Sequence, residues 1–438
     1  MLKIEQIPIK QLKPNSLNPR SNDGAVDAVA RSIRAYGFLN PIIASDLGVI
    51  AAGHTRLKAA IKLGLETVPV IRVPGLIGTK FTGFAIADNQ TASIAEWDQE
   101  LLAKIVAELN LDVDFDLKDL GFDDDELTRI LDAGIDDIDD QADEVPPPPE
   151  ETITQLGDLW ILGDHRLLCG DCRDPVALDR LMNGQQAALF NSDPPYGVGY
   201  DGTNHPQNTV DKEKGLPDGM QNKDWSSHYW DHFANGEEFE TFLTDAFANA
   251  KRYLIENAAW YCWHASATVL SFRKVWEQVG IRYHQTIIWV KPTFVLGFAL
   301  WNWKYEPCMV GWEEGHKPLV NTMEDEHSNV WQVDWQGKAR CVDSVHPTQK
   351  PIKLFELPML KHTRRGDICL ESFSGSGSQI IAAEKLGRRC YAMELQPKFC
   401  DVALKRWETY TGKTADLIRE STSITETTTP VGHCDVES

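Results

Sequence analysis

The sequence predicts an α/β protein in two parts, a small α+β domain followed by a larger α/β domain built on a parallel sheet. Three patterns predict it. The apolar run at residues 187–190 is stopped by Pro194 and Pro195, as a buried parallel strand is when it ends in a rigid turn, because proline fixes φ and cannot donate to a ladder. Residues 368–371 run into a Gly-rich turn, then a helical stretch at 379–386 and a second strand-like run closing on Glu394, the strand–turn–helix–strand order of a nucleotide-binding half. Residues 1–95 instead alternate one helical stretch with short strand-like pieces. A chain of 438 residues has room for two or three such cores.

No apolar run approaches the length of a membrane span, and residues 1–5 (Met-Leu-Lys-Ile-Glu) lack the apolar core of a signal peptide. A cytosolic, cytoplasmic protein with no membrane contact is therefore expected. Nine scattered cysteines suggest reduced thiols. Cys169 and Cys172 have CxxC spacing but no second pair, so no metal is expected. The net charge of −22 argues at first against a nucleic-acid partner. Its distribution changes that: residues 1–95 hold 11 Lys and Arg against 6 acids, residues 96–150 hold 3 against 20, and the rest 29 against 39. A local basic groove in either flanking domain remains compatible with DNA, whose backbone responds to the local field.

In chain order, residues 26–36 place Val26, Val29, Ala30 and Ile33 at helical spacing with Gly37 as a C-terminal cap. Residues 41–44 and 48–51 read as short strands around a Ser45-Asp46 turn. Gly53-His54-Thr55-Arg56 then opens a helix, an arrangement whose free N–H groups and guanidinium can cradle phosphate. With Asn18-Pro19-Arg20, Pro41-Ile42 and Val68-Pro69-Val70, this stretch resembles the N-terminal domain of ParB-type partition proteins. The resemblance implies a ParB-like fold over 1–95 and a nucleotide at Gly53, Thr55 and Arg56. His54 departs from the usual Glu, and no helix-turn-helix domain is expected to follow, so no partition role is expected. A DNA-contacting or purely structural accessory domain is the alternative.

Residues 96–150 offer one helix at 98–109, acidic helical fragments at 123–131, the run Asp136-Asp137-Ile138-Asp139-Asp140 and four prolines at 146–149. Repelling charges and polyproline together predict an interdomain spacer; an acidic DNA mimic is the sharper alternative.

From residue 151 the pattern is that of the larger domain. Residues 159–162 and 166–169 read as a hairpin running into Gly170-Asp171, where an acid at a strand end can accept from an adenine amine. In Asp193-Pro194-Pro195-Tyr196 a carboxylate, a proline carbonyl and an aromatic face stand within four residues, a set that suits a planar amine. The polar stretch 198–235 reads as a long loop. Eleven of the 14 tryptophans lie between residues 225 and 335, most of them expected in the core, with Trp301, Trp303, Trp331 and Trp335 as candidates for DNA contact. His346-Pro347-Thr348-Gln349-Lys350-Pro351 precedes an amphipathic helix, and Thr348 and Lys350 can bind a carboxylate. Glu371-Ser372-Phe373-Ser374-Gly375-Ser376-Gly377 forms the Gly-rich turn, small enough for close approach of a ligand. Glu394 follows at the spacing that reaches ribose hydroxyls. A helix at 397–407 ends the domain near 412, and the tail, 413–438, is expected to be disordered.

These motifs, over about residues 155–412, resemble the amino-methylating DNA methyltransferases, in the circularly permuted (β) group where the catalytic motif precedes the cofactor loop. The resemblance implies a Rossmann-like, S-adenosylmethionine-dependent domain at 151–412 acting on a flipped adenine in double-stranded DNA, as in restriction-modification enzymes. It implies Asp193, Pro194, Pro195 and Tyr196 as catalytic residues. It implies Asp171, Thr348, Lys350, Glu371, Phe373, Ser374, Gly375, Gly377 and Glu394 as the cofactor set, with Asp171 on the cofactor's adenine and Thr348 and Lys350 at its methionine end. Glu371-Ser372 replaces the usual Asp-Pro. The alternatives are N4-cytosine methylation and a non-catalytic DNA-binding protein; target sequence and oligomeric state are not readable.

Overall fold

The computed structural model describes residues 3–16, 18, 23–92, 97–110, 115–133, 142–199, 231–295, 300–321, 328–333 and 350–419. The chain divides into two compact units, Met1–Asp136 and Asp137–Ser438.

The first unit opens with a four-stranded sheet in the order β1 (Ile4–Pro8), β4 (Thr67–Val73), β2 (Ile42–Ser45), β3 (Ile50–Ala52). Helices α1 (Val26–Tyr36), α2 (His54–Lys62) and α3 (Gly78–Ala92) accompany it. Ile7, Ile42, Ile50, Leu57, Val68 and Val70 make its core, so the predicted mixed α+β character is what the apolar spacing produces.

The expected spacer is a folded module instead. Helices α4 (Gln99–Leu109) and α5 (Asp124–Ala133), with a 3-10 turn at Leu117–Leu120, close on a core of Leu102, Ala103, Val106, Leu127, Ile130 and Leu131. Several of its acids serve as helix caps. Asp98 accepts from Leu101 N at 3.0 Å. Asp123 and Glu126 cap each other's backbone N–H reciprocally at 2.7 and 3.0 Å, which satisfies donors that a helix start leaves open and complements its dipole. The run 136–140 lies outside the described residues.

The second unit is a sheet of ten described strands in the order β11-β9-β10-β8-β7-β12-β13-β6-β5-β14. These are β5 (Leu159–Leu162), β6 (His165–Cys169), β7 (Ala187–Ser192), β8 (Leu254–Trp263), β9 (Ile281–Val295), β10 (Trp303–Glu313), β11 (Val330–Gln332), β12 (Ile368–Glu371), β13 (Arg389–Glu394) and β14 (Asp416–Ile418). The central strands β8, β7, β12, β13 and β6 are parallel, and β10 is antiparallel to both β8 and β9. Helices α6 (Pro175–Met182), α7 (Gly236–Lys251), α8 (Val269–Gln278), α9 (Lys353–His362), α10 (Ser378–Leu386) and α11 (Pro397–Thr411) complete the unit. Phe190 packs 4.6 Å from Trp260 between ring centroids, and Trp260, Trp263, Trp276 and Trp289 are buried, so these four tryptophans are core. Trp301 is exposed, Trp303 less than half exposed, and Trp331 is buried; Trp335 lies outside the described residues.

This order is the α/β arrangement expected from the sequence, with one topological consequence. From β7 the chain moves to β8 on one side, and from β12 to β13 on the other. The crevice at the carboxyl ends of β7 and β12 is therefore a switch point, where open parallel sheets bind ligands. Among the described residues no helix is long and apolar enough to cross a membrane. Cys169 and Cys172 are buried free thiols, and burial pushes the Cys172 thiol up.

Candidate active site

Strand β7 delivers Ser192 and Asp193 to the switch point. Ser192 Oγ donates to Glu371 Oε1, at the end of β12, across 2.6 Å, and Phe373 N donates to the same oxygen at 2.9 Å. The two strand ends are thus tied side chain to side chain. Burial pushes the Glu371 carboxyl up to about 8.

Asp193 stands at the centre of a buried charge network. Its Oδ1 accepts from Tyr196 OH at 2.7 Å and its Oδ2 from Lys350 Nζ at 2.6 Å. Glu306 on β10 faces the same groups: its Oε1 lies 2.5 Å from Tyr196 OH and 2.6 Å from Lys350 Nζ, and its Oε2 lies 2.7 Å from Lys291 Nζ on β9. Two carboxylates therefore meet two ammonium groups, the balance a buried ionic cluster needs. Burial raises the Asp193 carboxyl against the opposing pull of Lys350. Burial also works against the charge of Glu306, but the flanking Lys350 and Lys291 outweigh it and hold that carboxyl low. Lys350 is raised: burial opposes its charge, and Asp193 and Glu306 overcome the opposition.

The turn itself is clamped from outside. Asp231 Oδ1 and Oδ2 accept from Gly197 N and Val198 N at 2.6 and 3.1 Å, and Thr268 Oγ1 donates to Tyr196 O at 2.8 Å. A glycine is required at 197, where φ is +67° and a Cβ would meet the Phe239 ring at 3.0 Å.

One cavity joins this cluster to the Gly-rich turn. Asp171, Asp193, Pro195, Lys350, Glu371, Phe373, Ser374, Gly375 and Glu394 all line it, so nine of the thirteen site residues expected from the sequence share one wall. Pro194, Tyr196 and Gly377 do not line it, and Thr348 lies outside the described residues. Three of the thirteen engage other groups of the chain. Lys350 directs its ammonium to the carboxylates of Asp193 and Glu306. Asp171 carries Arg173 on both oxygens, with Arg173 Nη2 at 2.6 Å from Oδ2 and Nε at 3.0 Å from Oδ1. Burial opposes the charge of Asp171 and Arg173 overcomes it, holding the carboxyl low. Gly377 (φ +77°) is a packing residue, since a Cβ there would lie 2.8 Å from Ala403 Cβ.

The remaining walls suit a ligand that is part apolar and part polar. Glu394 accepts from Gly375 N and Gln396 N, both at 2.8 Å, which fixes its carboxylate at the lip of the turn, and burial raises its pKa. Among the described residues the hydroxyls of Ser372 and Ser374 are buried without a hydrogen-bond partner, a costly state unless a ligand supplies one. Phe242, Phe355 and Phe399 give apolar surface around them. Glu306, Lys291 and Ser192 were not legible as site residues. Their only signal was a charge or hydroxyl inside a buried strand, and cross-strand register decides what such a side chain meets.

In the first unit, Gly53, Thr55 and Arg56 line a separate concavity with Asn40, Asp88 and Asn89. Arg56 Nη1 donates to the carbonyls of Asn40 and Pro41 at 3.0 and 2.7 Å. His54 Nε2 accepts from Asn15 N at 3.1 Å.

The DNA methylase family profile matches residues 188–405, the ParB N-terminal domain matches 1–76, and the ParB-methyltransferase HTH domain matches 100–156. The last match overturns the expectation that no helix-turn-helix domain follows the first. The type II methyltransferase M2.MboI of Moraxella bovis is 22% identical over 234 residues, 51% of this chain and 81% of that protein. A nucleoid occlusion protein of Bacillus cereus (strain B4264) is 37% identical over 92 residues, 20% of this chain and 31% of that protein. The crystal structure of the M1.HpyAVI–SAM complex is 18% identical, covering 55% of this chain and 98% of that one, with a TM-score of 0.40. The chain is thus a DNA methyltransferase of the N6/N4 amino-methylating family, which carries a ParB N-terminal domain and a ParB-methyltransferase helix-turn-helix domain ahead of its methylase domain.

Proposed function

We propose that the cavity between β7, β12 and β13 binds S-adenosylmethionine and that the cluster around Asp193 methylates the exocyclic amine of an adenine turned out of duplex DNA. The observation that carries this reading is the shared wall: Asp193, which ends the catalytic strand, borders the same cavity as Glu371, Ser374 and Glu394. The donor set fits the group. Glu394 would take ribose hydroxyls, Ser372 and Ser374 offer buried hydroxyls, Glu371 would answer a cationic centre once ionised, and the phenylalanines would give an adenine apolar surface. Bound there, S-adenosylmethionine supplies a sulfonium methyl carbon open to in-line attack.

The residues of the chain then do three things. Asp193, with the Pro194 carbonyl, accepts the hydrogens of the amine and so keeps its lone pair out of the ring and aimed at the methyl carbon. In an in-line transfer the C–N bond would form as the sulfonium C–S bond breaks and a neutral thioether leaves, and the Asp193 carboxylate would stabilise the positive charge that grows on nitrogen and take up the departing proton. Lys350 and Tyr196 orient that carboxylate, and Glu306 holds Lys350 in place. The aromatic face of Tyr196 flanks the flipped base. A carboxylate at 193 helps the weakly nucleophilic adenine amine most, which favours adenine over cytosine.

Nucleoside mass spectrometry of DNA methylated by the full chain tests the base: N6-methyladenine is expected, and N4-methylcytosine alone would replace adenine by cytosine. A second site follows from the concavity of the first unit, where Gly53, Thr55 and Arg56 stand together. We assign it a nucleotide, tested by titrating the protein with ribonucleoside triphosphates.

A further inference from the structure

The chain that opens the second unit does not run free. Ala142 and Asp143 are buried, and the chain meets α11 at Ala142 and again at Ile153 and Thr154. At one end Arg406 Nη2 donates to Ala142 O at 2.7 Å; at the other, Ile153 N donates to Asp401 Oδ2 at 2.8 Å, while Thr154 N and Oγ1 donate to Asp401 Oδ1. Arg406 and Asp401 are five residues apart on one helix, about 7.5 Å along its axis. The chain between these anchor points carries the four prolines at 146–149, whose restricted φ leaves a stiff segment with little conformational entropy to lose.

The contacts of this strap lead to the active site. Arg406 Nη1 also donates to Ser378 Oγ at 3.0 Å and to Ser376 O at 3.2 Å, within the Gly-rich turn and the start of α10. Ser378 Oγ in turn donates to Lys350 O at 3.1 Å. Asp143 Oδ1 accepts from Ile352 N at 2.9 Å, two residues beyond Lys350. Arg406 is fully buried, which brings its guanidinium down to about 10, and Asp143 is the charge that opposes the drop. Taking Asp143 away leaves a buried cation without its counter-charge and a buried N–H without its acceptor, both expensive states.

We infer that the strap at 142–154 is part of the methyltransferase unit and that Asp143, acting with Arg406, is a positioning residue that holds the Gly-rich turn and the Lys350 segment in their ligand-binding arrangement. The functional boundary of the domain therefore falls before residue 142, not at 151. The inference rests on the reading of the adjoining cavity as the S-adenosylmethionine site, and the test separates the two.

The full-length chain is compared with Asp143→Ala, Asp143→Asn, Arg406→Met and, as a control, the exposed neighbour Glu144→Ala. Two readouts are taken: S-adenosylmethionine affinity by calorimetry, and amide hydrogen exchange across residues 374–378 and 350–354 without ligand. Asp143→Ala is expected to weaken cofactor binding about tenfold and speed exchange in both segments, the effect of one lost buried hydrogen bond with its charge. Asp143→Asn keeps the acceptor for Ile352 N and recovers part of the affinity, and Glu144→Ala matches the parent. The cofactor KM rises with a smaller change in kcat. A folded Asp143→Ala chain with parental exchange in both segments overturns the positioning role, even if Arg406→Met does not fold. Failure of the parent chain to bind S-adenosylmethionine overturns the cavity assignment instead, and the exchange data still decide the strap.

Discussion

The Lys350 ammonium donates to Asp193 Oδ2 across 2.6 Å, joining a residue that follows β7 to one 157 positions later in the chain. Burial alone would keep the Asp193 carboxyl protonated and unable to accept from an amine, so the ammonium is what makes the acid useful. Lys350→Met is expected to leave Asp193 without a counter-charge and Glu306 with Lys291 alone. It should cost about 3–5 kcal/mol of stability, as breaking a buried pair from one side does, and remove methyl transfer. Thermal unfolding alongside a methyl-incorporation assay checks both effects.

Glu306 touches Tyr196 and Lys350 but does not line the cavity. Glu306→Gln should therefore lower kcat by roughly 10- to 100-fold, the scale of losing one orienting partner, while S-adenosylmethionine affinity stays near that of the parent. Steady-state kinetics with both substrates varied decide it. An equal rise in cofactor KM would place Glu306 in the cofactor site instead.

Glu371 predicts a pH dependence. Its folded value of about 8 lies above the ordinary 4.5, so the folded chain keeps a proton that the unfolded chain releases. Stability from this group is full below about 4.5 and is lost as pH rises towards about 8, at up to about 1.4 kcal/mol per unit. The ligand-free protein should lose thermal stability from pH 5 to 8 more steeply than Glu371→Gln. Parallel curves for the two proteins would show that Glu371 does not titrate in this window. A cationic ligand favours the ionised form, so S-adenosylmethionine affinity should rise over the same interval in the parent only.

Gly377→Val should block cofactor binding through packing. Its Cβ would press on Ala403 Cβ at 2.8 Å and its φ of +77° disfavours a branched residue, so α10 and α11 must part and the turn between β12 and α10 must shift. Calorimetry is expected to show no binding, with a loss of a few kcal/mol in stability.

What the sequence revealed depended on how local the signal was. The strand at 187–192 and its turn were legible because two prolines end a buried run, and the Gly-rich turn because strand, small residues, helix and distal acid follow in order. Glu306 and Lys291 were not, since their meeting depends on the pairing of β9 with β10. The helices at 98–109 and 123–131 were legible, with Asp98 as an N-cap, but not their closing into one module, because the packing of Leu102 and Val106 with Leu127, Ile130 and Leu131 is not local. Lys350 was recognised as a site residue but assigned a distant carboxylate, because nothing local says that Asp193 lies beside it.

The central claim is that Asp193, at the border of the cofactor cavity, accepts the target amine while the cofactor is held by the other walls. Methyl transfer to duplex DNA and S-adenosylmethionine affinity, measured together in the full-length parent and in Asp193→Ala, test it most directly. The parent is expected to methylate adenine, and the variant to lose at least about a thousandfold in turnover with cofactor affinity within a few-fold of the parent. A variant that binds cofactor normally and retains more than a few per cent of the parent's turnover would contradict the account.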